Sequence, residues 1–186
     1  MTTNQETGNI PKVMKSLTVF SFIVTIIASF LFCYLAKDIF LTLAITFGTI
    51  TYHLGIRLFI GLLYNVGMKN QADYTKKWYQ IHPWEIKLYK FLKVKAWKNK
   101  MPTYAPLSFS NKEHTWDEIA QAMCQSELVH ETNILFSFLP IIASRWFGSF
   151  SVFFVTSLCS AIFDLLFVFI QRYNRARVVK IALKEK

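Results

Sequence analysis

Acidic residues are scarce in this chain: 11 Asp and Glu stand against 21 Lys and Arg, a formal charge of +10. Cysteines are scarcer, and the three present, Cys33, Cys124 and Cys159, are widely spaced. An odd, scattered set indicates neither a disulfide framework nor a zinc knuckle, and Cys33 and Cys159 lie inside apolar runs, where they read as packing residues. No Walker loop, dinucleotide fingerprint, nucleophile elbow or zincin motif occurs anywhere. The basic excess raises nucleic acid as a partner, but no RNP motif or zinc-finger spacing accompanies it, so nucleic acid is set aside.

What the chain has in abundance is apolar surface. Hydrophobic residues make up 53% of 186 positions, 18 of them Phe, and they cluster. This is too apolar for a soluble domain of that size and predicts an all-α integral membrane protein, one small bundle without room for a second domain. In that setting the lysines and arginines record the positive-inside rule and anionic headgroups.

Residues 1–15 read as a polar tail. Residues 16–36 are apolar for long enough to span, and longer than a signal-peptide core. After the polar pause Lys37-Asp38, residues 39–66 run back across the membrane, with Gly55 and Gly61 allowing close helix approach. Residues 68–114 are basic and aromatic. Within them Pro83 starts a helix whose Trp84, Leu88, Phe91, Leu92 and Lys95 share a stripe, which predicts a helix lying in the membrane surface.

Residues 115–145 form the organising stretch. Thr115 and Glu118 make a capping box. From there Trp116, Ile119, Met123, Glu127, His130 and Ile134 fall on one stripe, and after Asn133 the chain is apolar all round, with Pro140 implying a kink or break. The expectation is a long helix continuing from the cytoplasmic region into the membrane. Residues 149–171 are the last span and carry Asp164, an ionisable group in an expensive place. A basic tail, 172–186, closes the chain. About four transmembrane helices result, and 18 of the 21 Lys and Arg fall on one side, which sets both termini and the large loop in the cytoplasm.

Glu127-x-x-His130 puts a carboxylate one turn from an imidazole, close enough to orient a ring that takes a proton from a hydroxyl. The same spacing serves di-iron helices, but those need two copies and further glutamates, and only one copy is present. His53 and Arg57 share a face at i, i+4. Arg57 either snorkels to the headgroups or lines, with His53, a polar cavity shared with Glu127 and His130. Gln171, Arg172, Tyr173, Asn174, Arg175 and Arg177 are either topology anchors or planar donors for phosphate or carboxylate.

Three blocks carry a resemblance: WEIKLYKFLKVKAWKNKMP (84–102), SELVHETNILFSFLP (126–140) and FIQRYNRARV (169–178). They resemble the signature blocks of the glycosyl-diaponeurosporenoate acyltransferases, small bacterial membrane enzymes. The resemblance implies transfer of a fatty acyl group to a sugar hydroxyl of a glycosylated carotenoid in the cell membrane. Ala176 stands where that family commonly has proline, and Asp164 where it has asparagine. On this reading His130 is the general base, oriented by Glu127. Arg172 and Arg175, with Asn174, Trp97, Lys98, His53 and Arg57, hold the polar parts of donor and acceptor, and Asn133 or Tyr173 donates to the oxyanion. The partners are membrane lipids, an acyl donor (acyl-CoA or acyl lipid) and a lipid-linked acceptor. No cofactor or metal is required, because the activated donor carries the driving force. Two alternatives stay open: a non-catalytic lipid-binding subunit, and a membrane metalloenzyme using Glu127 and His130.

Overall fold

The structure, a computed structural model, describes residues 9–185, and every long element in it is a helix. In chain order these are α1 (Asn9–Leu35), α2 (Asp38–Met68), α3 (Pro83–Phe91), α4 (Val94–Trp97), α5 (Trp116–Phe136), α6 (Pro140–Phe147) and α7 (Phe150–Ala182). Of the expected N-terminal tail, residues 1–8 lie outside the described residues, and 9–15 form the first turns of α1. Among the described residues three helices, α1, α2 and α7, are long and apolar enough to cross a membrane.

α1 and α2 form a hairpin turned by Ala36, which takes a left-handed φ of 51°, and Lys37 in extended conformation. Hydrocarbon offers no partners, so polar side chains here satisfy themselves locally. Thr18, Thr25, Thr42, Thr46, Thr49 and Thr51 each donate to the carbonyl four residues back, at 2.6–3.0 Å. The helices approach at Gly48 and at Gly55, where an added Cβ would stand 3.5 Å from the Thr25 methyl and 3.8 Å from the Thr18 methyl; Gly61 meets nothing within 4 Å.

The long helix expected over 115–145 is two helices. α5 starts on the Thr115 capping box, with Glu118 N donating to Thr115 Oγ1 at 3.3 Å and Thr115 N to Glu118 Oε2 at 2.8 Å. It ends at Phe136, and α6 restarts at Pro140. The cause is chemical: proline has no N–H to offer the Phe136 carbonyl four residues earlier. That carbonyl instead accepts from the Leu139 amide at 3.2 Å and from the Tyr52 hydroxyl of α2 at 2.8 Å. Tyr52 lies near the middle of α2, so the break sits deep in the apolar layer.

α7 does not stop where its apolar run ends. It continues through the basic residues to Ala182, 33 residues in all, about 50 Å at 1.5 Å per residue and more than a bilayer core needs. α5 and then α6 pack along it in antiparallel sense. At the polar end a small core of Tyr74, Tyr79, Ile119, Ala120, Met123, Cys124 and Val178 joins the 72–79 segment to α5 and α7. The surface helix is shorter than its stripe predicts. Lys93 adopts a left-handed φ of 50° and separates α3 from α4, while Trp84 and Phe91 remain exposed on one face.

Candidate active site

Two polar layers are strung along α7, and each follows from helical spacing. The deeper one gathers His53 and Arg57 from α2, His130 and Asn133 from α5, Ser137 just beyond it, and Ser160 and Asp164 from α7. Asp164 is fully buried. Its Oδ1 contacts His130 Nδ1 at 2.8 Å and accepts a longer bond, 3.4 Å, from Asn133 Nδ2. Its Oδ2 accepts from Arg57 Nη2 at 2.5 Å. The same guanidinium donates to the Ser160 hydroxyl (2.8 Å) and to the His53 carbonyl (2.8 Å). The Ser160 hydroxyl also meets His53 Nδ1 and the Ser137 hydroxyl, both at 3.0 Å.

A carboxylate buried among apolar helices is tolerable only when paired and hydrogen-bonded. Asp164 meets that condition through Arg57 and His130 together. The His130 ring stacks on Phe167, centroids 4.7 Å apart and planes 10° from parallel, which fixes its rotation. With Nδ1 turned to Asp164, Nε2 is the ring's outward atom. It has no hydrogen bond with the described residues, and the side chain is 21% exposed. On the same three helices four polar atoms are buried without a partner among the described residues: His53 Nε2, Arg57 Nε, Asn133 Oδ1 and Ser157 Oγ. Buried polar atoms left unpartnered carry a cost that a polar partner would relieve.

The second layer lies at the membrane boundary and is closed. Glu127, fully buried, accepts from Arg172 Nη1 at 2.6 Å on one oxygen and from Arg175 Nη1 on the other. Arg172 also clasps Glu85, with Nε to Oε1 at 2.6 Å and Nη2 to Oε2 at 3.1 Å. Backbone carbonyls fill the rest: Trp78 and Gln80 accept from Arg172, and Tyr79 from Arg175. Burial pushes the Glu85 carboxyl up, but bonds from Arg172 and the His82 amide outweigh it and hold the group below the usual range. Glu85 also receives the Tyr89 hydroxyl at 3.0 Å, so this layer fastens α3 and the 78–80 turn to α5 and α7.

The residues singled out in the sequence therefore separate. His53, Arg57, His130 and Asn133 come together, and Arg57 does not snorkel. Glu127 stays out of that group. It does not orient His130, because both its oxygens are held by arginines, and the ring's partner is Asp164. Arg172 and Arg175 spend their donors inside the protein, so they are not free to hold a substrate head group. Tyr173 lies 9 positions beyond Asp164 on α7, packed on Tyr89 and beneath Lys98, too far along the helix to serve an oxyanion at His130. Lys98 bonds Asn174 Oδ1, and Trp97 Nε1 donates to the Leu92 carbonyl. The Glu-x-x-His pair is thus split between two layers, and among the described residues no group of three His, Cys, Asp or Glu is placed to hold a metal.

Sequence reasoning missed Asp164 as the hub, although an aspartate inside an apolar run marked the position. Ser137, Ser160 and Glu85 carried no signal, since serines are common in membrane helices and Glu85 sits among lysines.

Comparison with curated proteins and with solved structures gives no match. A family model matches residues 75–184, more than half of the chain, from the 78–80 turn through both polar layers to the end of α7. It contains Glu85, Glu127, His130, Asp164, Arg172 and Arg175, while His53 and Arg57 precede it. The chain belongs to the glycosyl-4,4'-diaponeurosporenoate acyltransferase family.

Proposed function

We propose that the protein transfers a fatty acyl group to a hydroxyl of a glycosylated carotenoid or similar glycolipid, with His130 as general base and Asp164 as its orienter. The observation that carries this reading is the 2.8 Å contact between His130 Nδ1 and Asp164 Oδ1, in a layer that leaves Nε2 open. Asp164, paired with Arg57, accepts from His130 Nδ1–H in this reading, so Nε2 carries the lone pair. The acceptor hydroxyl gives its proton to Nε2 as its oxygen bonds to the acyl carbon. The imidazolium, stabilised by Asp164, returns that proton to the leaving group as the donor's acyl bond breaks. Arg57 Nε, buried and unpartnered, is the donor nearest in kind to what a developing oxyanion needs. Such an arrangement contributes on the order of 100- to 10,000-fold to rate.

Access from the lipid suits both substrates, since large apolar side chains of α1, α2 and α7 face outward. The basic side of the protein, with both termini, faces the cytoplasm of a multi-pass cell-membrane protein, and α5 and α6 together make the remaining crossing. The test is lipid analysis of cells expressing the native chain beside His130→Ala at equal folded protein. An acylated glycolipid made only by the native chain is expected. Equal lipid profiles would refute the enzymatic reading.

A further inference from the structure

Beyond the two layers, α3 and the last turns of α7 enclose a cleft of about 440 Å³. Tyr79, Tyr89 and Tyr173 line it, with Lys90, Arg177 and Lys180 at its edge. These three cations differ from Arg172 and Arg175. Their side chains are exposed and make no hydrogen bond or ion pair with the described residues. Cations without counter-charges repel one another, and Lys98 beside them feels it: burial, then the nearness of Arg177 and Lys95, lowers its affinity for a proton. A site of this kind is completed by an anion, and its tyrosine walls suit a flat, partly apolar one.

Distance selects among anions. Arg175 follows Asp164 by 11 positions, three turns of helix, so the two lie on one face about 16 Å apart. A phospholipid carries its ester carbonyls close to its phosphate and cannot span that gap with its head group in the cleft. A donor with a long arm between phosphate and acyl carbon can.

We propose that the cleft binds the phosphorylated head of an acyl donor whose acyl group sits on an extended arm, a nucleotide thioester, with Lys90, Arg177 and Lys180 as phosphate ligands. This rests on the acyl-transfer reading for its purpose, but binding is measured apart from transfer. The probe is coenzyme A, which carries no acyl group. It is titrated calorimetrically into the full chain in discs of zwitterionic lipid. The native chain and His130→Ala bind it equally. Lys90→Gln weakens binding about tenfold and Arg177→Gln/Lys180→Gln about a hundredfold, the scale of one charge-assisted contact per cation. Arg177→Lys/Lys180→Arg retains it. Native affinity in both glutamine variants, or no binding of coenzyme A by the native chain, would overturn the proposal. So would discs of phosphatidylglycerol being held through Arg177 and Lys180 while coenzyme A is not, since the phosphate source would then be lipid. Loss of product in His130→Ala with coenzyme A still bound supports both readings; product retained in that variant refutes the base alone.

Discussion

Replacing Asp164 by asparagine keeps the shape of the side chain and removes its charge, which makes it the sharpest probe of the deeper layer. Arg57 then loses its anion and keeps only neutral acceptors, the Ser160 hydroxyl and carbonyl and the His53 carbonyl. Its side chain is 14% exposed, so water compensates little. Breaking a buried pair from one side costs about 3–5 kcal/mol. At about 2–4 °C per kcal/mol, the unfolding midpoint should drop by roughly 6–20 °C. The rate should fall by roughly 100- to 10,000-fold per folded molecule, because a neutral amide no longer stabilises the imidazolium that forms at His130 and can turn its own N–H to Nδ1. The two effects are separable. Arg57→Gln/Asp164→Asn removes both charges, so much of the stability should return while the rate does not. Circular dichroism melts in detergent and initial rates of acyl transfer in lipid discs read the two quantities. Asp164→Asn working within tenfold of the native rate at equal folded fraction would refute the orienter assignment. A double variant no more stable than the sum of its parts would refute the ion pair.

Glu127→Gln should behave in the opposite way. It leaves Arg175, 2% exposed, without an anion, so melts should show a loss of about 3–5 kcal/mol, while the rate of the folded fraction stays within a few-fold. A selective loss of rate would return Glu127 to the catalytic group. Glu85 gives a pH dependence. Its folded carboxyl is held low, so on acidification the unfolded chain takes up the proton first. The contribution is complete above the ordinary glutamate range, about 4.3, and is lost as pH falls below it toward the depressed folded value. Melting the native chain and Glu85→Gln between neutral pH and that range should show a steeper acid decline in the native chain; parallel curves would exclude this role.

Helix class and membrane location were legible because both depend on composition and run length, which sequence carries directly. The Thr115 box was legible because its two bonds join residues three apart. Pro140 announced a break, but the partner that makes a break tolerable, Tyr52, lies 84 residues away, and only the packing of α2 against α5 brings it there. The site failed at the same point. Glu127 and His130 are neighbours along one helix, so spacing alone pairs them. On α5 the two side chains instead diverge toward partners 34 to 48 residues distant in sequence, and a long-range pair that is worth more wins over a local one. Charge also misled: arginines in a basic run look free for a ligand until buried glutamates from α3 and α5 are found to neutralise them.

That neutralisation explains why the two layers coexist on one face of α7. An imidazole proposed as the base inside an apolar layer needs its helices fixed relative to one another, yet its own cluster must leave atoms unspent to meet a substrate. The boundary layer resolves the conflict by being fully spent, with Glu85, Glu127, Arg172 and Arg175 closing on each other and on backbone carbonyls. It fastens α3, α5 and α7 and leaves the deeper layer free to stay incomplete. The family match contains all four of these residues together with His130 and Asp164, whereas Arg57, the counter-charge to Asp164, comes from a hairpin outside it. The counter-charge to Asp164 arrives from α2, so on the proposed reading the α1–α2 hairpin serves the chemistry as well as anchoring.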